Sequence, residues 1–278
     1  RKVMSVFLQS QAKLPVSTSA QVTAWREQAM QQAQRVGFPH NKLERWKYAP
    51  LRALATKSFA LSNEPDHSID AGQLPPAPRV VFINGRFHAG HSDTSALQGV
   101  SIHSLHEVLQ SDDDRRLNIL GRQFKDIEAP FSSLNTALAQ DGILIEVAEK
   151  STNETALHCV FISHGQSLSR HYARHLIACA EHSQFTLIEH HLSDGVDSTM
   201  SNHVWHVHVK PHAVLNHARM QDLDAQAVQF SRTDAVIAGH AIYNRVDCEI
   251  GSHFSRHELC IDLQGEHAQT KSGGVTWA

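Results

Sequence analysis

The rhythm of the chain changes near Gly142. Before it, apolar residues recur at helical spacing in short blocks separated by loops. After it, short apolar runs follow one another closely. Polar corners stand between them, as in Lys210-Pro211-His212, Arg232-Thr233-Asp234 and Gly251-Ser252-His253. Apolar residues resume at once after such corners, in KPHAVLNH and RTDAVIAGH. Hairpin dipeptides are almost absent here, Asp194-Gly195 being the exception. Strands this short and numerous build a sandwich, a barrel or a β-helix. The narrow corners favour the β-helix, whose coils stack equivalent positions over a continuous interior. Strands are expected at 143–147, 156–162, 175–180, 185–190, 203–209, 214–217, 227–230, 236–238, 241–246 and 258–263, with no regular period.

The N-terminal part reads differently. Val22, Trp25, Ala29 and Ala33 mark one face of a helix over Ala20–Val36, with Ser19 as its N-cap and Gly37 as its stop. The stretch NKLERWKYAPLRAL follows. Trp46 and Tyr48 there call for partial burial with a wet edge, as a packed connector or an aromatic docking element. Pro50 suits the first turn of a short helix carrying Leu51 and Leu54. Asn84-Gly85, between Val81-Phe82-Ile83 and Arg86-Phe87, signals a hairpin. Short helices are expected over 112–124 and 130–140, the second with Phe131, Leu134 and Leu138 on one stripe. The chain thus divides into a helical region at 1–75, a connecting region at 76–141, and a β-helix core at 142–278.

Composition removes several classes. The formal charge of −3 comes without any basic block, which argues against nucleic acid. No apolar run reaches the roughly 20 residues of a membrane span, and the start lacks the pattern of a secretory signal. Cys159, Cys179, Cys248 and Cys260 each sit in an apolar strand with no C-x-x-C pair. They read as reduced core thiols in a cytosolic setting. The 22 histidines are scattered rather than gathered in a tract. The chain starts without Met and stops at GGVTWA directly after a strand-like segment, so residues are expected to be missing beyond the C-terminus.

Four segments carry a family resemblance. ERWKYAPLRAL, with Trp46, Lys47 and Tyr48, resembles the tryptophan motif near the start of the SufB/SufD family of scaffold subunits, on its SufD side. RVVFINGRF, with Asn84, Gly85 and Arg86, is similar to that family's hairpin. FTLIEHHLS, with Glu189 and His190, is similar to one of its strands, and NHARMQDLDAQAVQF to the next region. Two departures are Ala49 and Asn84, where the family has Thr and Asp. The resemblance implies a mainly β protein with a right-handed parallel β-helix core and an N-terminal helical domain. It further implies a non-enzymatic scaffold of the SUF iron–sulphur cluster assembly system, serving cluster assembly and iron acquisition. SufB and the ATPase SufC are the implied partners. An iron–sulphur cluster or flavin is implied only at the level of the assembled complex, with no cofactor in this chain. A homodimer is expected in isolation.

Little in the residues suggests catalysis. His206 and His208 lie two apart on one strand and share a face, with His203 on the other. They chelate a metal only if a third ligand arrives from a neighbouring coil, His217 being the candidate. His253 and His257 are weaker. Glu189, His190 and His191 form an acid–base cluster on paper, but adjacent strand residues point to opposite faces. No G-x-S-x-G or H-E-x-x-H occurs. The competing reading is a β-helix enzyme acting on an anionic polysaccharide, with Asp222 and Asp224 as its carboxylates.

Overall fold

The computed structural model describes residues 5–49, 51–61, 69–124, 129–164, 168–194 and 198–277. Pro50 and Gly195, which the sequence reading invoked, lie outside them. Six α-helices and fourteen strands are assigned among the described residues. The helices are α1 (Val6–Ser10), α2 (Ala20–Val36), α3 (Leu51–Ala55), α4 (Leu105–Leu109), α5 (Asp114–Gly121) and α6 (Pro130–Leu138). The early strands are β1 (Ala60–Leu61), β2 (Arg79–Ile83), β3 (Arg86–Phe87) and β4 (Val100–Ser104). The later ones are β5 (Ile143–Val147), β6 (Leu157–His164), β7 (Ser169–Cys179), β8 (Gln184–Asp194) and β9 (Thr199–Val209). They continue with β10 (Val214–Leu223), β11 (Val228–Ile237), β12 (Ile242–Gly251), β13 (Phe254–Leu263) and β14 (Gln269–Trp277).

From β5 onward, strands alternate between two sheets. Sheet A runs β13-β11-β9-β7-β5-β4 and sheet B runs β14-β12-β10-β8-β6-β2-β3. Every pairing among β5 to β14 is parallel. This is a flattened β-solenoid, each coil giving one strand to each sheet. Among the described residues the only antiparallel strand pairs are β2 with β3 and β4 with β5. They lie at the start of the stack, where they cover sheet edges that would otherwise be open.

Arg232-Thr233-Asp234 is not a corner. It lies inside β11, and the two strands expected around it are one. Its polarity misleads because Arg232 and Asp234 share the outer face and bond each other at 2.7 Å, while Thr233 is fully buried on the inner face. Several strands are likewise longer than apolar runs suggest. In β7 and β9 the added polar residues Ser169, Arg170, Thr199, Ser201 and Asn202 are buried.

The irregular period has a simple origin. On one edge, sheet A passes to sheet B through a near-constant corner: Cys179 to Gln184, Val209 to Val214 and Ile237 to Ile242 are each five positions on. On the opposite edge the connection shortens. Leu192 to Met200 is eight positions, Asp222 to Val228 is six, and Ile250 to Phe254 is four. Each loss is an even number of residues, so inward and outward positions keep their alternation from coil to coil.

The helices lie against the outer face of sheet A. α2 begins at Ser19, whose side chain accepts from Val22 N, and ends at Gly37 with φ +78°. Arg26 on α2 is buried and donates to the carbonyls of Ala137 (3.0 Å) and Ala139 (2.7 Å), groups the end of α6 leaves without partners. Phe7, Trp46, Leu54 and Phe131 pack on Tyr172, Met200 and Phe230 of sheet A. Asn135 of α6 donates to Ala173 O at 2.8 Å and to Asn202 Oδ1 at 2.8 Å, pinning the helix to β7 and β9. Asp141 is buried and accepts from the amides of Phe87, His106 and Gly142. It ties hairpin, α4 and the first coil together. Burial raises its carboxyl pKa, and those three bonds oppose the rise.

Candidate functional site

The interior of the solenoid is divided lengthwise. Beside the constant corner it is apolar, with Val147, Cys179, Phe185, Val207, Val209, Leu215 and Ile237 filling it. Toward the shortening edge the inward positions turn polar. Sheet B supplies Glu189, His191, His217, Arg219, Gln221 and Arg245 there, and sheet A supplies His171, His175, His203, Gln229, Ser231 and Thr233, all buried. Stacking places these side chains in rows, because each coil repeats the inward register of the one before. Cys159, Glu189, Arg219 and Asp247 form one such row, and Ala173, His203, Ser231 and His257 another.

Glu189 is the centre of this polar lane. Its carboxylate accepts from His191 Nε2 at 2.8 Å and from His217 Nε2 at 2.5 Å. Tyr243 donates its hydroxyl hydrogen to His217 Nδ1 at 2.8 Å, and Gln229 Nε2 donates to His191 Nδ1 at 3.2 Å. With both Nδ1 atoms accepting, the network assigns each ring as the neutral Nε2–H tautomer. Burial by itself would raise the Glu189 carboxyl, but the two imidazole bonds outweigh it and hold the pKa well below the usual range. Burial depresses His191 and His217 despite their bonds to Glu189. The stable state is a carboxylate held by two neutral rings. Burial pushes the Tyr243 phenol up to about 12.

The lane continues on both sides. Ile143 N donates to His175 Nδ1 at 3.1 Å, and His175 Nε2 donates to His203 Nδ1 at 3.0 Å. The rings of His175, His191 and His203 surround Phe161 with centroids 4.8 to 5.0 Å away. Arg245 meets Asp247 at 2.8 Å, and Arg219 meets Glu249 at 2.8 Å. A polar network this enclosed fixes side chains in one arrangement. Glu189, His191 and His217 are each within 2% of full burial, so none of them meets a substrate from solvent.

The residues expected from sequence are distributed as follows. Parity separates His190 from Glu189 and His191, as the strand rule requires. His190 faces outward and bonds His158 at 2.8 Å. The same parity brings Glu189 and His191 together, and register adds His217; that convergence is invisible without knowing which strands are neighbours. The proposed trio of His206, His208 and His217 does not assemble. His217 faces the interior from sheet B. His206 and His208 face outward from sheet A, where His206 stacks on Phe124 and His208 contacts Arg122. No group of three or more His, Cys, Asp or Glu among the described residues is placed to hold a metal. His257 bonds Ser231 at 2.6 Å, and His253 is exposed. Asp222 is exposed on the outside of β10. Asp224 follows that strand, its carboxyl raised by burial and by the like charges of Asp222 and Asp194.

Trp46 is buried against Phe131 and Phe230, with the Arg256 guanidinium 4.1 Å above its ring. Tyr48 departs from the expected partial burial: it is 90% exposed, with Lys47 Nζ 5.4 Å from its ring. Asn84 takes φ +49° and clamps β6, its amide donating to His164 O at 3.0 Å and its Oδ1 accepting from His164 N at 2.8 Å. Gly85 follows at φ +76°, where a Cβ would stand 2.9 Å from that of His171. Arg86 is exposed. Trp46, Asn84 and Gly85 thus join the N-terminal region to the solenoid, and Lys47, Tyr48 and Arg86 remain at the surface.

The outer face of sheet B is different in kind. Ala218, Met220, Val246, Cys248 and Ile250 lie on it side by side in β10 and β12. Met220, Val246 and Ile250 are between 44% and 58% exposed. No helix of the described residues is long and apolar enough to cross a membrane.

Comparison with known proteins follows this architecture. The SufBD protein N-terminal region matches residues 1–159, and the SufBD core domain of SUF-system FeS cluster assembly matches residues 161–278. The chain is 26% identical over 257 residues to the iron–sulfur cluster assembly protein SufD of Escherichia coli, covering 87% of this chain and 56% of that protein. It is 23% identical over 254 residues to an iron–sulfur cluster assembly SufBD family protein of Synechocystis, covering 86% and 56%. The chain spans about half the length of these relatives.

Proposed function

The chain belongs to the SufBD family of the SUF iron–sulfur cluster assembly system, and on that premise we propose that it is a non-enzymatic, SufD-type scaffold subunit. Its solenoid presents a flat face to a homologous SufB-type partner, and the pair works with the ATPase SufC in cluster assembly and iron acquisition. The observation that carries this reading is the outer face of sheet B. Monomeric proteins seldom leave contiguous apolar surface of this kind without a partner. The buried polar lane supports the same reading, since its titratable groups stiffen the support behind that face rather than meeting a substrate.

The cluster is cargo of the assembly in this proposal. In isolation the same face pairs two copies as a homodimer. The setting is cytoplasmic, in keeping with four cysteines that form no disulfide.

The test is co-purification of the full-length protein with the SufB-type and SufC-type subunits of the same organism. A Met220→Glu/Val246→Glu variant should fold, by circular dichroism, and lose the SufB-type partner. Failure of the unaltered protein to join either subunit removes the proposal. Retention of the partner by the double variant removes the assigned face.

A further inference from the structure

Four histidines occupy one station on successive coils. The constant corner reads Ala180-Glu181-His182-Ser183, Lys210-Pro211-His212-Ala213 and Ala238-Gly239-His240-Ala241. It closes with Gly265-Glu266-His267-Ala268. His182, His212, His240 and His267 all take the left-handed conformation, with φ between +57° and +61°. The corner is held by a backbone ladder: His182 N donates to Pro211 O at 3.2 Å, His212 N to Gly239 O at 3.3 Å, and His240 N to Glu266 O at 2.9 Å. Their rings consequently stack in a line parallel to the solenoid axis. Centroids are 4.8, 4.8 and 4.9 Å apart, and the first two pairs are within 5° of parallel.

The fold accounts for the backbone but not for the imidazoles. Gly or Asn satisfies a left-handed corner at least as easily as His. The four rings are exposed, so packing does not select them. None makes a side-chain hydrogen bond with another described residue, in contrast to the histidines of the interior. What remains is a row of ring nitrogens open to solvent and spaced by the rung repeat.

We propose that this ladder binds soft or borderline divalent cations of the Zn²⁺, Ni²⁺ and Cu²⁺ type between neighbouring imidazoles. Neutral imidazole suits those ions. Zinc–nitrogen bonds of about 2.0–2.1 Å require two donors roughly 3.3 Å apart in a tetrahedral site. Rings stacked at 4.8 Å are therefore open at rest, and rotation of two neighbours about their side-chain torsions closes each site. Glu181 and Glu266, both exposed on the same corner, are available as oxygen ligands. Water completes the shell. This inference stands apart from the proposed scaffold function.

Because a site needs adjacent rungs, two double variants separate the outcomes. His212→Asn/His240→Asn leaves His182 and His267 isolated, while His182→Asn/His267→Asn leaves one adjacent pair. Asn tolerates the left-handed backbone, so both variants should fold. Titration with Zn²⁺ by calorimetry at pH 7.5, and retention of the untagged protein on Ni²⁺-charged resin, are the readouts. The unaltered chain should bind both ions. The terminal variant should bind with reduced stoichiometry, and the central variant should lose at least tenfold in affinity and elute early from the resin. Equal binding by the central variant and the unaltered chain, or no binding by the unaltered chain, overturns the proposal.

Discussion

Acidification from pH 7.5 to 5.5 should destabilise this protein before its carboxylates titrate. Burial penalises the imidazolium form. It lowers His171 to about 4, with His191 adding to the effect, and lowers His175 to about 3, with Glu189 opposing. Both rings are within 5% of full burial. In the unfolded chain each would titrate near the ordinary 6.5. Above that value neither state is protonated and these rings leave stability unchanged. As pH falls below it, the unfolded chain takes up protons that the folded chain refuses, and stability drops. Over those two pH units each ring contributes about 1.35 kcal/mol, so the pair accounts for about 2.7 kcal/mol. His203, His206 and His217, also lowered by burial, act in the same direction. Asp141, raised by burial, acts in the opposite one. Urea denaturation at pH 7.5, 6.5 and 5.5 and constant ionic strength measures the effect. A His171→Gln/His175→Gln variant should lose about 2.7 kcal/mol of the pH dependence, whatever its absolute stability. A level profile in the unaltered chain, or an undiminished slope in the variant, would refute the reasoning.

Three further outcomes are expected. Glu189→Gln places an amide N–H against one of two ring N–H groups, and because Tyr243 and Gln229 hold the opposite nitrogens, it should cost about 1–3 kcal/mol in denaturant melts. Gly142→Ala brings a Cβ to 1.8 Å from Arg174 O, a backbone atom that cannot step aside, so soluble yield and thermal midpoint should both fall sharply. Trp46→Ala empties a buried site among Phe131, Phe230 and Arg256, and should cost about 3–5 kcal/mol by chemical denaturation, whereas Tyr48→Ala should change stability by under about 0.5 kcal/mol.

Local signals carried much of the fold. Ser19 and Gly37 bound α2 as their capping chemistry requires, and Asn84-Gly85 turns the hairpin. The scarcity of hairpin dipeptides after Gly142 foreshadowed parallel strands. Long-range facts were less accessible. Arg232, Arg245 and His217 look like surface residues in a string of letters, and their partners Glu258, Asp247 and Glu189 are supplied by stacking or by alternation within a strand. Hydropathy treats them as solvated because it cannot see that a neighbouring coil satisfies them. The His-Ser and His-Ala pairs at 182, 212, 240 and 267 lie in the sequence as a repeat, but their spacing shifts with the shortening edge and with one extra residue in the last corner, so no fixed period reveals them.

That shortening makes the later coils specific to their level. In many solenoids a module can be duplicated, deleted or transplanted, since each presents the same perimeter to its neighbours. Here the bend after β8 spans two more residues than the bend after β10, and the latter two more than the bend after β12. A transplanted turn would arrive with the wrong girth on the side that carries Glu189 and Arg219. Shuffled or consensus versions of this protein should therefore fail, while alterations made in whole residue pairs at that bend should be the ones that survive.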